Sequence, residues 1–144
     1  VEEVQAEAGR LMEIIIDRPP IYDRAAKVFP LQGREIFAWE DKIYNPGGFV
    51  IPEWLKAHEL VHSRQQMDDT GHFSAEAWWD RYLVDTEFRF QEELEAHVAE
   101  FRSYKQHNRD RNKQLQYKRV VAKKLAAPLY GSMITAFDAM RRIT

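Results

Sequence analysis

Apolar positions recur at helical intervals over most of this chain, and proline and glycine cut the pattern into blocks. Val4, Ala8, Leu11, Met12 and Ile15 fall three and four residues apart and predict a helix from about Glu3 to Ile16, which "DRPP" then stops because proline cannot continue it. "YDRAAKVF" predicts a short helix before Pro30, and "EIFAWEDKIY", aromatic and β-branched on both sides of "ED", predicts two short strands or a hairpin. "NPGG" is a turn, and Pro52 followed by Glu53 suits the first turn of a helix running to about Met67. After the break "DDTGHFS", Ser74 opens a helix through "AEAWWDRYLV", and a long helix spans about Thr86 to His107. "KQLQYKRVVAKKLA" is helical up to about Pro128, and Ser132 is the expected N-cap of a last helix through "MITAFDAMRRI". The pattern predicts a mainly α protein with a small β element ahead of the helix at 53–67.

At 144 residues the expectation is one domain, residues 1–144, with its own core. The segment from Val1 to Pro30 is expected to complete that core, since Leu11, Met12, Ile15 and Ile16 need burial; the competing expectation lays it across a cleft, limiting access. Cysteine is absent, which excludes disulfide scaffolds, thiolate metal sites and cysteine nucleophiles, so any metal must take nitrogen and oxygen ligands. The longest apolar run, "LMEIII", falls far short of the ~20 residues of a membrane helix, and no signal-peptide pattern opens the chain. A soluble, cytoplasmic protein without a membrane partner is therefore expected.

The net charge of −2 selects no nucleic acid globally. Locally, Arg109, Arg111, Lys113, Lys118, Arg119, Lys123 and Lys124 stand against Asp110 alone, but no nucleic-acid-binding motif accompanies them. They read as a solvated helix face.

The chemistry concentrates in "HELVH", residues 58–62. One helical turn apart, His58 and His62 project from the same face and reach one ion at Zn–N distances of ~2.0–2.1 Å. Glu59 is rotated off that line, so it can hold a water beside the ion without ligating it, which is what a general base needs. Ala57, Leu60 and Val61 around the polar triplet imply a helix packed into the protein, where these three side chains require partners.

A catalytic zinc takes three protein ligands and keeps a position open. Asp68 has the spacing of a third ligand only if the helix broke after His62, but the glycine that such a break needs is Gln65. Glu92, Glu93 and Glu95 lie on the next long helix. Glu92 and Glu95 share a face with Ala96 and Ala99, small residues that let two helices approach, whereas Glu93 is expected to face solvent. His72 and His97 complete the alternatives. Glu95 is the preferred ligand.

These segments, "HELVHSRQQ", "WWDRYL", "EELEAHVAE" and "LYGSMITAFDAM", together resemble small H-E-x-x-H proteins of the gluzincin type, bacterial and phage metallopeptidase-like proteins among them. The resemblance covers roughly residues 36–143. It implies a compact zincin-like helical core with a short sheet or hairpin before the active-site helix, Zn2+ held by His58, His62 and Glu95, and Glu59 as base. It also implies that "EIFAWEDKIYNPG" pairs with an extended peptide or protein substrate. Larger gluzincins carry N-E-x-x-x-D where this chain reads "QEELEAH". A peptidase further needs a group that stabilises the oxyanion, for which Tyr82, Arg89, His72 and His97 are candidates. Tyr82 is carried forward as catalytic, against simple packing beside Trp78 and Trp79. The expectation is a zinc metallopeptidase; the alternative is a catalytically inactive metal-binding scaffold or interaction module, phage-encoded in one version.

Overall fold

The computed structural model describes residues 2–5, 11–67 and 74–144, and within them the chain is mainly helical with a small sheet. Strands β1 (Glu2–Gln5) and β2 (Leu11–Ile15) come first, followed by helix α1 (Tyr22–Val28) and the hairpin β3 (Phe37–Trp39) and β4 (Lys42–Tyr44). Five helices complete the described chain: α2 (Glu53–Met67), α3 (Ala75–Val84), α4 (Thr86–His107), α5 (Arg111–Leu125) and α6 (Ala136–Arg142), with a 3-10 turn at Pro128–Tyr130. None of the described helices is long and apolar enough to cross a membrane.

The N-terminal helix expected from Glu3 to Ile16 is not there. Its ends are strands, β1 pairing antiparallel with β2 and β2 parallel with β4 in the order β1-β2-β4-β3; Ala8, at its centre, lies outside the described residues. The consecutive isoleucines explain the difference. β-Branched side chains favour extended backbone, and in β2 Met12 and Ile14 alternate inward onto Ile43 and Ile51 while Ile16, beyond the strand, is 72 % exposed. Helical spacing over so short a stretch was coincidental. With Ile21 and Ala25 also buried, this segment helps to complete the core.

The hairpin forms as its pattern predicts, and α2 fixes it in place. Glu40, in the turn, has φ 54°, a strained backbone for a residue with a Cβ. Its N–H donates to Gln66 Oε1 (2.7 Å) and its carbonyl accepts from Ser63 Oγ, so two side chains of α2 hold the turn. Asp85 caps α4 by accepting from Phe88 N–H, and Asp110 caps α5. The last helix starts later than expected: Gly131 (φ 81°) and Ser132 (φ 51°) are both left-handed, and Thr135, whose Oγ1 accepts from Asp138 N–H, is the N-cap.

α4 is the central element, packed against α2, α3, α5 and the 3-10 turn. On one side Phe90 and Leu94 join Val121, Leu125, Ala139 and Ile143 in an apolar cluster. A second cluster gathers Ile21, Phe37, Trp78, Trp79 and Tyr82, so the paired tryptophans pack inside and form no surface patch. Against α2 the packing is polar, and the candidate site residues lie there.

Candidate metal centre

α2 buries an unusual face: His58, Glu59, His62, Ser63, Gln65 and Gln66 are all inside. α4 answers with Glu93, His97 and Glu100, spaced four and three residues apart and therefore on one stripe of the helix. Between the two helices three atoms converge. His58 Nε2 and His62 Nε2 are 3.1 Å apart, and Glu93 Oε1 lies 3.0 Å from each.

The hydrogen bonds around this triangle determine which groups face it. Gln65 Nε2 donates to Glu92 O (3.1 Å) and to a Glu95 oxygen (2.7 Å), which orients the amide so that its Oε1 faces His62 Nδ1 at 2.8 Å. An amide oxygen only accepts, so His62 carries a proton on Nδ1. Glu100 Oε1 lies 2.8 Å from His58 Nδ1, and that carboxylate also only accepts, so His58 is protonated on Nδ1 as well. In the neutral rings both Nε2 lone pairs then point at Glu93 Oε1. Three acceptors in mutual contact repel unless something positive joins them.

The protonation energetics carry the same message. Burial pulls the pKa of His58 down, but bonds to Glu100 and Glu93 outweigh it and raise it well above the usual histidine value. Burial also opposes a proton on His62, and Glu93 again reverses the direction. Burial would push Glu93 up; the two imidazoles instead hold it well below the usual carboxylate range. A site that gathers protons this strongly suits a divalent cation. Around a tetrahedral zinc at ~2.0–2.1 Å, ligand atoms stand ~3.3 Å apart, so the triangle needs to widen by only a few tenths of an ångström. The donor set fits, and the bonds from the two Nδ1 atoms to Glu100 and Gln65 are of the kind that orient metal ligands.

Glu59 lies beside the triangle without joining it, its Oε2 3.8 Å from His58 Nε2. Burial raises its pKa above the usual carboxylate value, against the pull of both imidazoles. It lines a cleft of about 490 Å³ that opens over the three converging groups.

Several residues singled out in the sequence take other places. Glu95 is exposed and its carboxylate accepts from Gln65, so the preferred third ligand does not reach the triangle; Glu93, expected to face solvent, does. Of the two alanines read as the close-approach face, Ala96 is fully buried but adjoins Glu93 and His97, while Ala99 is only half-buried. Glu92 accepts from Trp78 Nε1 (2.9 Å). Asp68 and His72 lie outside the described residues.

Tyr82 stacks on Trp78 with ring centroids 4.8 Å apart, and its hydroxyl donates to Glu93 Oε2. It therefore orients a carboxylate, and burial followed by the Glu93 charge raises its own pKa well above normal. Arg89 donates to the carbonyls of Tyr82, Leu83 and Leu129, closing the end of α3 and tying down the 3-10 turn. His97 donates through Nδ1 to Glu100 Oε1 (2.9 Å), so a single oxygen supports both His58 and His97, and this second His–His–Glu cluster is a hydrogen-bonded buttress. Its Nε2 is buried without a partner among the described residues. Tyr130, on the 3-10 turn, also lines the cleft near Glu93, whose charge adds to burial in raising its pKa.

On the strand expected to pair with substrate, the outward carbonyl of Ala38 is already bonded. β3 is an edge strand, but Ala38 O accepts from Gln66 Nε2 (2.9 Å) and Trp79 Nε1 (3.0 Å), while Glu40 is held by Gln66 and Ser63. Glu93, weighed as a ligand but expected to face solvent, and Glu100, Gln65 and Tyr130, not weighed as site residues, are what sequence reasoning missed. The signal for the first two was the Glu93–His97–Glu100 spacing. No family model, curated protein or solved structure matches the chain.

Proposed function

We propose that this chain is a zinc-dependent peptidase with His58, His62 and Glu93 as ligands and Glu59 as general base. The observation that carries the reading is the convergence of three lone-pair atoms within 3.1 Å, with both Nδ1 protons committed elsewhere and a free carboxylate alongside. A short sheet ahead of an H-E-x-x-H helix, backed by a helix that supplies the glutamate, supports the gluzincin resemblance and a zincin-like core. Zinc held there would polarise a peptide carbonyl and lower the pKa of an adjacent water.

The chain's own residues do the rest. Glu59 takes the proton of the attacking water and passes it to the leaving amine, a role for which a carboxyl raised by burial is suited. Glu100 and Gln65 hold the two imidazoles in the tautomer that leaves Nε2 free, and Tyr82 fixes Glu93 by its second oxygen. Trp78, stacked on Tyr82 and tilted against the His62 ring, keeps that side of the site dry.

The test compares wild type with Glu59→Gln for zinc content and for cleavage of a broad peptide library. An enzyme keeps its zinc in the variant and loses cleavage by about 100-fold or more. Zinc uptake by wild type without cleavage of any peptide would favour the alternative, a metal-binding module with no turnover.

A further inference from the structure

Recognition of a peptide as an added strand is closed at Ala38 and Glu40, where side chains of α2 and α3 occupy the edge of β3. The walls of the cleft offer selectivity instead. Phe29, Leu31, Phe37 and Leu129 give it an apolar lining beside His58 and Glu59. Arg34, ahead of β3, and Lys124, on α5, bring two exposed cations to the same cleft. Among the described residues no carboxylate pairs with either cation. Glu35, which also lines the cleft, turns instead onto the N–H groups of Gln32 (3.0 Å) and Gly33 (3.0 Å).

Resting on the peptidase reading, we infer that the cleft selects peptides in which a bulky apolar side chain lies next to a carboxylate, the side chain entering between the aromatic walls and the carboxylate meeting Arg34 and Lys124. That carboxylate comes from a free C-terminus or from an Asp or Glu side chain; the chemistry is shared, and the experiment separates the sources.

The probe is zinc-loaded Glu59→Gln protein, which binds without cleaving, titrated with four short peptides built around one phenylalanine. The first ends in Phe with a free carboxylate and the second is its amide. The third is an amide with Asp beside Phe, and the fourth carries Lys in place of that Asp. The first or the third should bind about 10-fold tighter than the second at low salt, with the fourth weakest and the preference shrinking as salt is added. Whichever of the first and third is tighter names the source. Arg34→Gln and Lys124→Gln should each cost about 3-fold and together abolish the preference; both positions are exposed, so the fold should survive, which circular dichroism verifies. Equal binding of the amide, or a preference that survives the double variant, overturns the inference. Cleavage is read separately on wild type: binding selectivity without turnover refutes the peptidase and leaves the recognition standing, while turnover indifferent to the carboxylate refutes only the recognition.

Discussion

α4 packs on two sides, and the two are built from opposite chemistry. Toward α5 and α6 it presents Phe90 and Leu94 to Val121, Leu125, Ala139 and Ile143, a contact that burial alone explains at about 25 cal/mol per Å² of apolar surface removed from water. Toward α2 it presents Glu93, His97 and Glu100 to His58, Glu59 and His62, all buried. Each ion placed there costs several kcal/mol of desolvation, and an apolar packing of similar volume would serve stability as well or better. The polar interface therefore implies a task that stability does not set. On the reading proposed above, that task is to hold a cation where the two imidazoles and Glu93 meet.

The largest expected effect tests that contrast directly. Zinc at a thousandfold over its dissociation constant should stabilise the protein by about 4 kcal/mol, read as a rise in Tm that a chelator reverses. Glu93→Ala should remove this response. Its pH dependence has a definite sign: against the effect of burial, Glu100 and Glu93 raise the folded pKa of His58, and Glu93 that of His62, above the unfolded value of 6.5. Without metal, the stability contributed by those protons is complete below the unfolded value and is lost as pH rises through the raised folded ones. Zinc has to displace them, so its stabilisation should be small near about pH 5.5 and grow toward about pH 8. A zinc response that stays flat or falls over that interval would break the comparison. Next in size, Leu125→Ala on the apolar side should cost about 3 kcal/mol, with the same value with or without zinc and across that pH range. Thermal unfolding of both variants, with and without zinc, separates the two faces.

The two sides also differ in how far the sequence reveals them. Helical periodicity from Glu53 onward, the helix opening at Ser74 and the aromatic hairpin were legible, because they express local backbone preferences that tertiary packing did not reverse. His58, Glu59 and His62 were legible because a single turn of helix fixes their relation to one another. The proposed third ligand, Glu93, depends on the rotation of α4 against α2, which is set by contacts distant in sequence. Small residues marked the approach correctly at Ala96, but a face shifted by one residue exchanges Glu92 and Glu95 for Glu93. The N-terminal strands were missed for a similar reason: Ile14 is extended because Ile43 lies alongside it, a partner that no local window contains.

A smaller effect should come from the shared support of the two histidines. Glu100 accepts from His58 and His97 through one oxygen and from the Tyr117 hydroxyl through the other, and those imidazole bonds overcome burial to hold its carboxyl well below the usual range. Glu100→Gln keeps the shape but removes the charge that strengthens His58 as a donor of electrons. Zinc affinity should fall 10- to 100-fold, about 1.4–2.8 kcal/mol, in a competition titration against a chromophoric chelator. An unchanged affinity would place Glu100 with the structural polar residues and shrink the functional part of the interface to the three ligands and Glu59.

The smallest effect lies where the polar network meets the surface. Tyr117 of α5 stacks flat on Tyr104, with centroids 4.0 Å apart and planes 6° from parallel, and Trp54 of α2 packs edge-on against both rings. The stack and the hydroxyl are separable. Tyr117→Phe keeps the aromatic contacts and removes the hydroxyl that donates to Glu100 Oε2 and accepts from the Trp54 side chain, so it should cost about 1 kcal/mol of stability and weaken zinc only about 3-fold, because the oxygen that serves His58 is the other one. Tyr117→Leu loses the stack as well and should destabilise further with no additional loss of zinc affinity. If instead zinc binding follows the stack rather than the hydroxyl, the orientation of His58 is governed by the packing of α5 on α2, and the apolar and polar sides of α4 are not independent.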